Sequence, residues 1–284
     1  MDPLSSFDAY AQKITSWVSQ AAQNGAALVV FPEYGAMELA AITQAAGDLE
    51  ASLHATSALV PEADLLHARL AREHEVYLLA ASAPVFHQGS QRPVNRARFF
   101  APSGAMMTQD KQIMTLFARD IWNVVAGRPL RVFDTDIGRI GILICYDCEF
   151  PLLGRALVDA GVEILLVPSC TDSEHGYHRV RTGAQARALE GQCIVVQSTT
   201  VGTCDWCPAV DENIGAAGVF GPQDIGFPPD GVIALGAMNT PGWTYAKIDR
   251  AGIAQVRRAG SVSVRAHWGE QQPSVKSITN VDLR

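Results

Sequence analysis

The chain has 284 residues, with 22 basic and 29 acidic side chains, a formal charge of -7, and 48% hydrophobic against 18% charged residues. This length and apolar fraction favour a folded protein with a sizeable core and exclude collagen, coiled-coil and disordered chains. The acidic balance and the scattered arginines exclude the basic surface that nucleic-acid binding requires.

The compartment follows from what the sequence lacks. No run approaches 18 apolar residues, and the first residues have neither the basic nor the apolar part of a signal peptide, so we expect a cytoplasmic protein that does not contact a membrane. Cytosolic cysteines stay reduced, which makes each of the six cysteines a core residue, a metal ligand or a nucleophile. Lysine is scarce, with four in the whole chain.

Helices and strands alternate along the chain. Apolar spacings of three and four predict a first helix over residues 7–21, followed by a strand over 26–31 that leads directly to Glu33. A second helix is predicted over 59–74 and a strand over 76–81. The further predicted strands are 96–100, 106–109, 130–133, 139–144, 162–167, 194–199 and 231–235. One further helix is predicted over 152–160, and another follows the strand 162–167 and ends at about residue 192. This alternation favours an α/β sandwich over an all-α or all-β fold.

We interpret the chain as a single domain, residues 1–284. The Gly- and Pro-rich region 215–242 contains a strand-like segment and is more typical of surface turns than of a linker. The last residues, from about Arg265, show weak periodicity. We expect this tail to pack on a partner subunit, and the alternative is a loose terminus.

The segment 141–151 carries the strongest local signal for chemistry. The almost wholly apolar strand before it ends on Cys145, and a turn and a helix follow. This arrangement exposes a sulfur at the strand tip and directs the next backbone N–H groups outward, which provides a nucleophile and half of an oxyanion hole. The alternative is that Cys145 is a small buried core residue.

A cysteine nucleophile needs a base or a nearby cation, because a thiol with an ordinary pKa of about 8.5 is only weakly ionised at neutral pH. The histidines are poorly placed for this, since they lie in helical surface patterns at positions 54, 67 and 74 or in an irregular stretch at 175 and 178. Glu33 and Lys111 instead both follow strand ends. A carboxylate base and an ammonium group can replace histidine, and the lysine also stabilises negative charge on a carbonyl oxygen.

Three motifs in this order resemble the Glu, Lys and Cys signatures of the nitrilase superfamily, the carbon-nitrogen hydrolases. They are Phe31-Pro32-Glu33-Tyr34, then Asp110-Lys111, then Ile144-Cys145-Tyr146-Asp147 with Phe150-Pro151. Pro168-Ser169 and Arg187-Ala188-Leu189-Glu190 are also similar to family elements, so that the match covers about residues 21–202.

The resemblance implies roles for these residues. Cys145 would attack the substrate carbon, Glu33 would act as general base and acid, and Lys111 with the backbone N–H of Tyr146 would stabilise the oxyanion. Because Tyr146-Asp147 stands where true nitrilases carry Trp-Glu, the resemblance implies an amide rather than a nitrile substrate.

The resemblance also implies a four-layer αββα sandwich, no cofactor or metal, and a homodimer or higher homo-oligomer that pairs through the helices covering the sheets. The substrate-binding side chains that it implies are Tyr34, Asp120, Thr171 and His178. We expect His178 to pack beneath a polar loop at the mouth of the pocket.

The sequence departs from the family pattern at two points. Where members carry a second glutamate in a Phe-Glu-Arg context, this chain has Ala118, and Asp120 lies two helical positions away, about 200° around a helix. Members also begin with a strand before the first helix. Here that strand is missing or another segment takes its place.

Two groups of residues could instead be metal ligands. Cys145-x-x-Cys148 and Cys204-x-x-Cys207 resemble zinc ligands, but the first pair straddles a strand end and the pairs lie too far apart for a finger. A polar cluster at 172–178 is better explained as a loop at the pocket mouth than as a metal site.

The sequence therefore predicts a thiol amidohydrolase that cleaves a small carboxamide through a Cys145 thioester. Nitrile hydrolysis and acyl transfer by the same thioester are alternatives. A catalytically weak member that binds a ligand or partner is another, because of Ala118.

Overall fold

Two stacked β-sheets form the centre of the molecule in the computed structural model, which describes residues 1–87 and 89–284. The first sheet has the order β1-β2-β3-β4, with β1 and β2 parallel and the other neighbours antiparallel. Its strands are β1 (Leu28–Val30), β2 (Tyr77–Val85), β3 (Val94–Phe100) and β4 (Met106–Asp110).

The second sheet has six strands around a parallel centre, in the order β12-β11-β8-β7-β6-β5. Its strands are β5 (Val132–Thr135), β6 (Gly138–Ile142), β7 (Ile164–Ser169), β8 (Ile194–Thr199), β11 (Gly218–Phe220) and β12 (Val232–Leu235). A small separate hairpin joins β9 (Gly202–Thr203) to β10 (Glu212–Asn213).

The helices either pack on the sheets or lie in segments outside them. They are α1 (Phe7–Gln23), α2 (Leu49–Glu73), α3 (Leu116–Asp120), α4 (Pro151–Asp159), α5 (Glu174–Gly191), α6 (Arg250–Ala259), α7 (Val264–His267) and α8 (Gln272–Val275). Short 3-10 helices span Gly35–Ile42, Cys145–Glu149 and Trp268–Gln271. No helix in the described ranges combines the length and the apolar character needed to span a bilayer.

The layers follow from the two main apolar clusters. In one, α1 and α2 pack on the first sheet through residues such as Ile14, Leu70 and Leu78. In the other, Phe99 of the first sheet meets residues of the second sheet, whose far side packs on α4 and α5 through residues such as Leu157. The expected αββα sandwich is confirmed.

The first helix shows why the sequence pattern predicts well here. Ser6 caps α1 by accepting a hydrogen bond from the N–H of Ala9 at 3.1 Å, and the buried face of the helix repeats every three or four residues. The helix ends before Gly25, whose φ of 77° suits a residue without a Cβ.

Two expectations for elements need correction. The second helix begins at Leu49, ten residues before its predicted start at Leu59, because Asp48 caps it and the chain remains helical through Pro61. The predicted strand over 76–81 continues to Val85. The predicted strands 96–100 and 106–109 form one hairpin, in which β3 pairs with β4, and the strands 130–133 and 139–144 form another, in which β5 pairs with β6.

The edge of the first sheet is where the sequence analysis left a family strand unaccounted for. No strand precedes α1 in the described residues, so β1 is an edge strand of its sheet. Trp243 from the C-terminal half packs near this edge, with its ring 5.2 Å from Trp17 and 5.4 Å from Phe31 between centroids. Its indole N–H donates to the Trp17 carbonyl at 3.1 Å. A groove of about 550 Å³ remains along the edge.

Candidate active site

Cys145 begins a short 3-10 helix just after the buried strand β6. Its φ of 51° lies in the left-handed region, which is costly for a residue with a Cβ and occurs mostly at functional turns. The Asp147 carboxylate holds this turn by accepting hydrogen bonds from the N–H groups of Ile144 at 3.2 Å and Ile113 at 2.8 Å. Because Ile113 lies two residues after Lys111, Asp147 connects the nucleophile turn to the lysine loop.

The Glu33 carboxylate is buried and accepts three hydrogen bonds. Its Oε1 accepts from Lys111 Nζ at 2.6 Å and from Asn95 Nδ2 at 2.8 Å. Its Oε2 accepts from the backbone N–H of Cys170 at 3.0 Å. Glu33 and Lys111 are 1% and 2% exposed, so their charges interact in a medium of low dielectric and water screens them little.

The Cys145 thiol lies against the same residue that binds Glu33. Its Sγ is 3.7 Å from the Cys170 carbonyl oxygen, to which it donates. Burial and the nearby charge of Glu33 raise the pKa of this thiol well above its usual range, and Lys111 only partly opposes them. A candidate nucleophile whose pKa is raised in this way needs a base to accept its proton before it can attack.

Lys111 remains a cation despite its burial. Burial alone would lower the pKa of its ammonium group, but the negative charge of Glu33 raises it above the ordinary value. Its backbone N–H donates to the Asn95 carbonyl at 2.9 Å. For Asp147, burial raises the pKa to about 6, although Lys111 and three backbone hydrogen bonds act in the opposite direction.

The backbone N–H of Tyr146 is the candidate oxyanion donor. It lies in the first turn of the 3-10 helix, where N–H groups have no acceptor within the helix. Over residues 1–87 and 89–284 it donates to no other group. The Tyr146 ring packs on Phe150 at 4.9 Å between centroids.

Tyr34 is the substrate-binding candidate that the structure brings to this site. Its φ of 53° is left-handed, its ring lies 4.7 Å from that of Trp122, and its buried hydroxyl has no partner among the described residues. Burial and the charge of Glu33 raise the pKa of this hydroxyl well above its usual range.

The other three candidates lie differently. Thr171 is buried directly after Cys170, but its hydroxyl donates to the Ile214 carbonyl at 2.7 Å and so serves the fold. His178 is exposed on α5 beside Tyr177 instead of packing beneath a loop, since it is on the outward face of that helix. Asp120 is exposed at the end of α3. The structure does not bring His178 or Asp120 together with Glu33, Lys111 and Cys145.

Ala118 lies in an apolar environment. It occupies the first turn of α3 and is buried in a cluster that includes Tyr34, Met114 and Trp122. In the described part of the chain, the ion pair of Lys111 is with Glu33. No carboxylate from position 118 contributes to it.

The cysteines form no metal centre in the residues that the structure describes, where no three His, Cys, Asp or Glu side chains converge as ligands. All six cysteines are free thiols. Cys148 donates to the Val180 carbonyl at 3.5 Å, and Cys204 and Cys207 are buried with the apolar cluster around Ala118.

Sequence reasoning missed three residues that hold the site together. Asn95 binds Glu33 from the second position of β3, Cys170 binds both Glu33 and Cys145 through its backbone, and Asp147 holds the Cys145 turn. An acid two residues after Cys145 signals Asp147, whereas Asn95 lies just outside the predicted strand 96–100 and has no such signal. A backbone contact such as that of Cys170 has no side-chain signature in the sequence.

Comparison with known proteins agrees with this geometry. The carbon-nitrogen hydrolase family model matches residues 1–258. The probable hydrolase YhcX of Bacillus subtilis is 32% identical over 262 residues, which is 92% of this chain and 50% of that protein. Nitrilase 2 of Arabidopsis thaliana is 28% identical over 210 residues, 69% of this chain and 58% of its own length. The chain spans between half and three-fifths of the length of these relatives.

Among solved structures, an amidase from Nesterenkonia sp. has the same fold, with a TM-score of 0.67 and 18% identity over 96% of this chain and 91% of that one. The family match includes every strand of both sheets and the helices α1 to α5 that cover them. From this match we conclude that the chain belongs to the carbon-nitrogen hydrolases, the nitrilase superfamily.

Proposed function

We propose that this protein is a thiol amidohydrolase that cleaves the C–N bond of a small carboxamide through a thioester on Cys145. The observation that carries the proposal is the buried Glu33–Lys111 pair and its link to the Cys145 thiol. The link runs through Cys170, whose backbone N–H donates to Glu33 and whose carbonyl oxygen accepts from the thiol. A neutral thiol, a carboxylate acceptor and a fixed cation together supply what acyl transfer to sulfur requires.

The first half of the reaction forms the acyl enzyme. Glu33 accepts the thiol proton as the Cys145 sulfur bonds to the amide carbon, and negative charge develops on the carbonyl oxygen. Lys111 Nζ and the Tyr146 N–H stabilise that oxyanion. Glu33 then gives its proton to the leaving nitrogen, the C–N bond breaks, and ammonia or an amine departs from the thioester.

The second half regenerates the enzyme. Glu33 accepts a proton from water as the water oxygen attacks the thioester carbon, again with Lys111 and the Tyr146 N–H near the oxyanion. Collapse of this intermediate breaks the C–S bond, and the sulfur recovers the proton from Glu33. The carboxylic acid product leaves, and both groups return to their starting states.

The surroundings favour a small and uncharged acyl group. Tyr34 joins the catalytic residues to the apolar cluster of Met114, Ala118 and Trp122. Lys111 is already paired with Glu33, so it does not serve as a counter-ion for a charged substrate. The fold shared with the Nesterenkonia amidase and Tyr146-Asp147 in place of Trp-Glu support amides, while the similarity to Nitrilase 2 keeps nitriles as the alternative.

The test compares short aliphatic amides with the nitriles of the same chain length. We expect release of ammonia from the amides and an acyl adduct on Cys145 by intact mass, with hydroxamate formed when hydroxylamine is added. Cys145→Ala should form no adduct, and Glu33→Gln should lower acylation by about 100-fold or more. Cys148→Ala, a change at a buried thiol three residues away, is the matched control and should retain activity.

The outcomes are distinct. Faster hydrolysis of the nitriles than of the amides would identify nitriles as the substrate class. Hydroxamate formation that outpaces hydrolysis would indicate an acyltransferase. Absence of ammonia and of any Cys145 adduct across the panel would contradict the enzymatic proposal.

A binding protein without efficient turnover is the second candidate, favoured by Ala118 within its apolar cluster. It predicts that amides raise the melting temperature without being consumed. Steady consumption of any panel amide by the wild-type chain excludes it.

A further inference from the structure

Asn95 contacts the candidate base and the candidate lysine together. Its side-chain Nδ2 donates to Glu33 Oε1 at 2.8 Å, and its backbone carbonyl accepts from the Lys111 N–H at 2.9 Å. We propose that Asn95 is a positioning residue that orients the Glu33 carboxylate and favours its ionised form. This inference rests on the proposed role of Glu33 as the base.

The orientation of the Asn95 amide follows from chemistry. The side chain is completely buried, and its Oδ1 has no partner in the described ranges. The opposite amide orientation would place this oxygen against Glu33 Oε1, acceptor against acceptor, which is unfavourable. The NH₂ group therefore faces the carboxylate.

Stability alone gives no reason for an asparagine at this position. β3 is buried over most of its length, and a buried carbonyl oxygen without a donor costs free energy that an apolar side chain of similar size would avoid. The gain from the amide is its hydrogen bond to a charged carboxylate, which is stronger than a bond between neutral groups. The contact with Glu33 is the feature that accounts for Asn95.

The neighbouring residues hold this contact in place. Arg96 makes two hydrogen bonds with Asp110, the residue opposite it in β4, at 2.6 and 2.9 Å. Asp110 also accepts from the Arg128 N–H at 3.0 Å. Since Asn95 and Lys111 directly adjoin this pair in sequence, the hairpin fixes the position from which both approach Glu33.

A donor that favours the carboxylate over the carboxylic acid has a consequence for pH. Glu33 must be ionised to accept the thiol proton, so loss of the donor should move the acid limb of kcat/KM to higher pH. A hydrogen bond to a charged group corresponds to a shift of about one pH unit or more. A residue needed only for folding would change activity at all pH values without moving this limb.

The test uses two variants of the full chain. Asn95→Leu removes the donor and keeps the number and branching of the side-chain heavy atoms, and Asn95→Asp keeps the shape but places a second carboxyl group beside Glu33. We expect both to raise the acid limb by about one pH unit or more, further for Asn95→Asp because two adjacent carboxylates resist joint ionisation. kcat should fall with KM little changed, since the step affected is chemical. Gln109→Leu, a change at a buried amide of β4 that does not contact Glu33, is the control.

A second readout does not require turnover. The rate of Cys145 alkylation by iodoacetamide, followed by mass spectrometry across pH, should show the same upward shift of its acid limb in both variants. Unmoved limbs in a folded Asn95 variant, or an equal shift in Gln109→Leu, would overturn the inference. If the wild-type chain shows no turnover but the alkylation profiles of the two Asn95 variants are shifted relative to it, the amidase proposal is contradicted. The role of Asn95 is then still supported.

Discussion

At the scale of single residues, the candidate site combines a strained cysteine turn with several buried polar contacts. Cys145 and Tyr34 both adopt left-handed backbone angles, which cost free energy unless the surrounding structure holds them. Asp147 holds the cysteine turn, and the Ser82 hydroxyl accepts from the Tyr34 N–H at 3.0 Å. Lys111 already has its carboxylate in Glu33, so position 118 is not needed to supply one.

The change Ala118→Glu tests whether the site is complete without a second glutamate. We expect the free energy of unfolding to fall by about 2 kcal/mol, because a charged group enters an apolar cluster, and we expect no rise in kcat/KM. Denaturant unfolding and amide hydrolysis measure the two effects. Ala118→Gln separates size from charge, and a large gain of activity in Ala118→Glu alone would show that the missing carboxylate limits catalysis.

At the scale of elements, the hairpin of β3 and β4 supports the lysine. Asp110 is 1% exposed and Arg96 is mostly buried. Burial alone would raise the pKa of Asp110, but the hydrogen bonds from Arg96 and the Arg128 N–H hold it below its usual value of 3.8. The pair therefore stabilises the fold above pH 3.8, and this contribution is lost as the pH falls through the lower pKa of the folded state.

The change Asp110→Asn should lower the free energy of unfolding by about 3 kcal/mol at pH 7, because it leaves a mostly buried arginine without its counter-ion. Urea unfolding at several pH values should show this difference shrinking as the pH falls below 3.8, where Asp110 of the unfolded chain becomes neutral, and lost once the pH passes the lower pKa of the folded state. Asp134→Asn is the matched control, since its ion pair with Arg139 is exposed and contributes about 1 kcal/mol or less. A difference independent of pH would contradict the assignment.

At this scale the sequence predicts those elements whose apolar residues repeat with a clear helical or strand period. The strands 96–100 and 106–109 were predictable, and so was the position of Glu33, Lys111 and Cys145 just beyond three different strands, because alternation and strand ends are local signals. The early start of α2 at Leu49 was not, since the segment before Pro61 has a weak apolar pattern and depends on its cap and on packing. Asn95 lies close to Glu33 only after β2 and β3 pair, and Cys170 acts through its backbone. These contacts depend on tertiary structure.

At the scale of the whole molecule, one sandwich buries nearly all the described strands, while the C-terminal segment lies outside it. After α8 the chain has no regular structure, and Ile278, Val281 and Leu283 are 84%, 74% and 94% exposed. Exposed apolar side chains in a terminal segment are consistent with our proposal that the tail packs on a partner subunit of a homo-oligomer.

Deletion of residues 277–284 tests whether the tail packs on a partner subunit or is a loose terminus. The melting temperature of the subunit should not change, because the deleted side chains bury little against the sandwich. Light scattering during size-exclusion chromatography should show an oligomer for the full chain and a weaker one for the deletion. Equal masses for both chains at every concentration would favour a loose terminus.

The burial of Lys111 also determines how the protein can be attached to a surface. Its side chain is 3% exposed, whereas Lys13 is partly accessible and Lys247 and Lys276 are exposed. Amine-reactive supports couple to accessible lysines, so they would hold the molecule through α1, the segment just before α6 and the C-terminal tail. The amine that the proposed reaction uses would remain unmodified, and immobilised protein would keep its site intact.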